Sequence, residues 1–137
     1  MKKLILTLAF TASFLASFSQ DILGFTFQAT SVAYSDSDFE NIFRVEELFN
    51  ASFKDEYLVH TVYSKFGDVS ESQFYKIISL KVDKIIDGYN ITFYTKSGIS
   101  GSVYKYTLHL TEEYEILNLN DEALFGGVLV SIKTYKQ

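Results

Sequence analysis

The chain has 137 residues, a net charge of −5, and no Cys, Trp or Pro. Without Cys it has no disulfide, no thiolate metal site, no lipid-bearing cysteine and no thiol chemistry. Its acidic balance, with Lys dispersed along the chain, disfavours nucleic-acid phosphates and anionic lipid surfaces, both of which need a positive face.

Lys2 and Lys3 precede an apolar run from Leu4 to Ala16, and Ser17-Phe18-Ser19 sets small residues before Gln20. This three-part layout predicts a signal peptide over 1–19. The apolar run is shorter than the roughly 20 residues a spanning helix requires. Residues 20–137 are therefore expected to form a single exported domain, periplasmic or extracellular, with no stable membrane insertion after cleavage. The compact signal reads as bacterial. A domain of this length can bury a core without disulfides.

The exported part is rich in Phe, Tyr, Ile, Val and Thr, which suit pleated, half-buried surfaces. Phe25, Phe27 and Ala29 alternate with Thr26, Gln28 and Thr30, which predicts a first strand. Ser37-Asp38-Phe39-Glu40 has capping-box spacing, so one short helical turn near Asp38 is an alternative there. From Ile42 onward strand is preferred, with Phe43, Val45, Phe49, Ala51 and Phe53 on one face. Lys54-Asp55-Glu56 then turns the chain into a strand over Tyr57 to Ser64.

Gln73 to Ile86 is a long apolar-rich run whose β-branched residues favour strand over helix. Strand parity groups Phe74, Ile78, Leu80, Val82 and Ile86, broken by Lys76 and Lys84. Asp87-Gly88 follows, a strong hairpin signal, and leads into the alternation of Tyr89, Ile91 and Phe93. Ser97-Gly98-Ile99-Ser100-Gly101 reverses the chain again. In Val103 to Thr111, Tyr104, Tyr106, Leu108 and Leu110 share one face. Glu115 to Asn118 and Val128 to Tyr135 are expected as the last two strands, joined by a loop containing Gly126-Gly127.

The fold class that follows is all-β. It is an antiparallel meander of about seven or eight strands, closed into a small barrel or folded into a sandwich. A lipocalin-like barrel is one such architecture. With no Trp the chain lacks that family's Gly-x-Trp signature, so the likeness is one of architecture alone.

Chemistry-bearing patterns are sparse. The chain has two histidines. His60 shares parity with Leu58 and Val62, which makes it a hydrogen-bonded core residue or part of a ligand pocket. His109 falls on the polar parity of its strand and is expected as an exposed bystander. No His-Glu-x-x-His, Gly-x-Ser-x-Gly, P-loop or dinucleotide fingerprint occurs. Metal ions and cofactors are therefore not expected. The acidic groups around Asp36–Glu40 and Asn118–Glu122 read as solvated loops. Glu47 interrupts the apolar row of Phe43, Val45 and Phe49, and a carboxylate inside a barrel could anchor a ligand. Arg44, the only arginine, would point to the opposite face.

Glu47 and His60 are thus the candidate ligand-binding residues. Two function classes follow. One is recognition of a protein or glycan partner by the outer face; the other is carriage of a small apolar ligand inside the barrel. An enzyme is the weakest reading, because no set of acids, bases or metal ligands converges in the sequence.

Overall fold

The computed structural model describes residues 22–36 and 39–137. The expected signal peptide and the alternative helical turn at Asp38 lie outside them. Among the described residues eight strands follow one another: β1 (Gly24–Asp36), β2 (Phe39–Ser52), β3 (Tyr57–Tyr63), β4 (Val69–Ile85), β5 (Gly88–Ser97), β6 (Val103–Thr111), β7 (Ile116–Phe125) and β8 (Val128–Lys136). Each pairs antiparallel with the next, and β1 pairs with β8, which closes the barrel. The choice between barrel and sandwich is settled in favour of the barrel.

Period-two alternation is what allows closure. Phe25, Phe27, Phe49, Leu58, Ile91, Phe93, Leu108, Leu110 and Leu119 point inward and are buried. Each contributes on the order of 2 kcal/mol through burial. Over β5–β7 the outward positions are mostly Asn, Thr, Lys and His. Apolar-in and polar-out is the reverse of the alternation in transmembrane barrels.

Two expectations need correction. The row proposed for the fourth strand breaks at a bulge between Ile77 and Ser79. Before the bulge Tyr75 and Ile77 are buried while Phe74 and Ile78 are exposed; after it Leu80 and Val82 pair with the inward Phe93 and Ile91. A bulge shifts the side chains that follow it to the other face, and alternation read along one strand cannot register that. The seventh strand also runs on to Phe125, well beyond the expected end at Asn118. Polar residues at alternate positions there face out of the barrel and belong to no loop.

The two ends of the barrel differ. At the end formed by the β2–β3, β4–β5 and β6–β7 hairpins, the interior is packed with rings. Phe25, Phe53 and Phe93 lie 5.5–5.9 Å apart. Tyr114, from the β6–β7 connection, stacks on Tyr89 at 4.9 Å. The half toward the β1–β2, β3–β4, β5–β6 and β7–β8 hairpins carries the polar side chains.

Candidate functional site

Register places Glu47 on β2 and His60 on β3 side by side. Glu47 pairs with Val62 and Phe49 pairs with His60, so both polar groups project to the barrel's inner side. His60 Nε2–H donates to Glu47 Oε1 at 2.6 Å. The His60 ring stacks on Phe49 with centroids 4.2 Å apart, and Tyr135 meets both rings edge-on. The pair is held by packing as well as by its hydrogen bond. The Glu47 and His60 side chains stay 11% and 15% exposed, so solvent reaches them from the polar half.

A second carboxylate faces this pair. Asp121 on β7 lies between Tyr106 on β6 and Lys133 on β8 in the cross-strand register. It is buried, and its Oδ1 has no hydrogen-bond partner among the described residues. Burial pushes its pKa up from 3.8 to about 6. Lys133 and His60 pull it back, while Glu47 and Glu122 push it further up. Thr95, on the same inner side of β5, leaves a second buried oxygen unpartnered among the described residues.

Tyrosines complete the lining. Tyr106 is buried beside Asp121 and stacks on Phe93 at 5.2 Å. Tyr75 stands edge-on to Tyr104 and donates its hydroxyl to Gln73 Oε1 at 2.6 Å, and Gln73 in turn donates to Glu71. Burial raises the pKa of Tyr75, Tyr106 and Tyr135 well above the usual phenol value, so all three are neutral, with nearby carboxylates adding to the shift. At the rim, Phe43 keeps Glu47's parity but is 53% exposed. It meets Tyr34 edge-on at 5.5 Å, and Lys133 Nζ lies 5.5 Å from the Tyr34 ring.

The structure therefore brings Glu47 and His60 together and adds Asp121, which sequence reading placed in a solvated loop. The signal for Asp121 was present: Leu119, Asp121 and Ala123 alternate with Asn118, Asn120 and Glu122. Arg44 is exposed, away from the pair. His109 is on the outer face as its parity requires, but it is no exposed bystander. It is half-buried and bonded to Asn90 and Asn120. Its correction comes from the neighbouring strands, whose polar residues fall beside it in register.

Among the described residues no group of three or more His, Asp and Glu side chains is placed to hold a metal ion. Comparison with protein-family models, with curated proteins and with solved structures found no match.

Proposed function

We propose that this chain is an exported binding protein that holds a small amphipathic cation in the polar half of its barrel. The observation that carries this reading is the pair of inward carboxylates, Glu47 and Asp121, set among aromatic rings, with one Asp121 oxygen unpaired among the described residues. A barrel stabilised only by packing has no use for ionisable groups inside, because each costs desolvation. A ligand ammonium would answer both carboxylates. The rings of Phe49, Tyr106 and Tyr135 would take its apolar body and add cation–π attraction. The reading modifies the expectation of a purely apolar ligand, since the inward side chains there include Glu47, His60 and Asp121. The surrounding hairpins carry exposed Phe66, Ile99, Phe125 and Val128, an apolar rim suited to the entry of an amphipathic molecule.

The test is calorimetric titration of the mature protein with phenethylamine and with its neutral analogue phenethyl alcohol. The amine is expected to bind at least about tenfold more tightly, a difference of about 1.4 kcal/mol. Asp121→Asn and Glu47→Gln should each erase most of that preference. Amine affinity should also fall as pH drops through about 6, where Asp121 takes up a proton. Equal binding of both probes, or an amine preference indifferent to both substitutions, would overturn the reading.

A further inference from the structure

Closure through β1 and β8 leaves one stretch of strand with a neighbour on one side only. The pairing of β3 with β4 ends at Tyr57 and Lys76, and the next bond on that side runs from the Ile77 N–H to the Glu56 carbonyl at 2.9 Å. β4 continues to Ile85, and over that length it pairs with β5 alone among the described residues. Its side chains show the gap. Leu80 lies opposite the buried Phe93, yet it is 41% exposed. Ile78, Ile85 and Ile86 are exposed as well. An edge with this much apolar surface is a template for another strand.

The phase of the ladder tells which backbone groups are open. Ile85 and Gly88 close the two-residue turn Ile86-Asp87, and a turn of that length is closed by a hydrogen-bonded pair. Such pairs recur at every second residue, so Asp83 and Lys81 also turn their N–H and C=O groups toward β5. Leu80, Val82 and Lys84 turn theirs to the open side. An incoming antiparallel strand must offer its own outward-facing residues at those three positions.

The stretch is complementary to itself. A two-fold axis at Val82 sets Val82 opposite the second copy's Val82 and Leu80 opposite its Lys84, so all three open residues meet open residues and each pair exchanges its backbone bonds. On the other face Lys81 meets the second copy's Asp83, and Asp83 its Lys81. Ile78 comes up to the second copy's Ile86. The alternatives fail on charge or space. An axis at Lys81, Asp83 or Lys84 sets like charges directly opposite, which is destabilising. An axis at Leu80 brings the second copy's Lys84 to Lys76, where β3 already holds the edge. An edge lysine ordinarily blocks strand addition; at Val82-centred register Lys81 has a carboxylate to meet.

We infer that the open edge of β4, Ile78–Ile85, is a dimerisation surface that takes the same edge of a second copy of this chain, antiparallel about Val82. The two barrels then share one continuous sheet, and Ile78 and Leu80 are covered. The inference is independent of what the lumen holds.

The test is sedimentation velocity of the mature protein over a concentration series, beside hydrogen exchange followed by NMR. The parent should pass from monomer to dimer as concentration rises, and the Leu80, Val82 and Lys84 amides should gain protection together with it. The Lys81 and Asp83 side chains are 73% and 46% exposed, so changing either leaves the core untouched. Lys81→Asp and Asp83→Lys should each weaken dimerisation at least about tenfold, because like charges then face each other on both sides of the axis. Mixed in equal amounts, the two variants should associate about as tightly as the parent, since each supplies the charge the other lacks. A parent that stays monomeric at every concentration would overturn the inference, and an edge reserved for a strand of a different protein would give that result. A dimer retained by both single variants would overturn it too, as would a mixture that associates no better than either variant alone.

Discussion

Ionising Asp121 moves a charge out of water, and Lys133 and His60 offset only part of that cost. The sign follows from linkage. The folded chain holds the Asp121 proton to about pH 6, whereas the unfolded chain releases it near 3.8. Between those values the folded state binds more protons, so the contribution of this residue to stability declines as pH rises from about 4 through about 6. A shift of that size corresponds to about 3 kcal/mol. Asp121→Asn should therefore melt higher than the parent at pH 8, with the advantage vanishing near pH 4. Thermal unfolding of both proteins across that range checks this; an advantage independent of pH would show that Asp121 is not desolvated as described. Such a residue sacrifices stability, as binding sites commonly do. Glu47 and His60 were legible in the sequence, because parity alone set each among inward apolar neighbours. Asp121 was not, because a run of Asn, Asp and Glu matches the composition of a loop, and only pairing with β6 and β8 reveals it as strand.

At the scale of elements, the hairpins carry most of the sequence signal. Asp87-Gly88 marks the β4–β5 turn, and Gly88 has a second role. A Cβ at this position would lie 1.9 Å from the Leu110 carbonyl oxygen. That contact is with backbone, so no side-chain rotation relieves it, and β5 and β6 would have to separate where Gly88 pairs with Thr111. Gly88→Ala should cost on the order of 3 kcal/mol in urea unfolding. A loss under about 0.5 kcal/mol, the range of neutral surface changes, would contradict the register at this hairpin. Strand existence was readable from alternation nearly throughout, including the stretch from Ile42, where helix and strand competed. The bulge at Ile78 was not readable, because its cause lies in the partner: Ile77 pairs with Thr95 and Ser79 with Tyr94, leaving one residue of β4 without an opposite number.

For the whole molecule, closure decides what the strands can do. The pairing of Ser31–Ser35 with Ile132–Lys136 joins residues about a hundred positions apart in the chain and removes the edges that an open meander would expose. Contacts so distant leave no local trace, which is why the sequence could not separate barrel from sandwich. Closure also creates an inside, and the alternation of each strand sorts its side chains between a ring-packed half and a half bearing Glu47, His60 and Asp121. Outside, the same alternation gathers Asn90, His109, Asn118 and Asn120 onto one wall. A single pattern of period two thus yields two surfaces with different chemistry.

The most direct measurement is native mass spectrometry of the protein purified from cells that naturally produce it. The account predicts a chain beginning at Gln20 and carrying a stoichiometric small-molecule adduct that is basic when released. It further predicts that the adduct is absent from the Glu47→Gln/Asp121→Asn protein prepared in the same way. A parent protein that arrives bare, or an adduct retained equally by the double variant, would contradict the claim that the lumen is built to hold a cation.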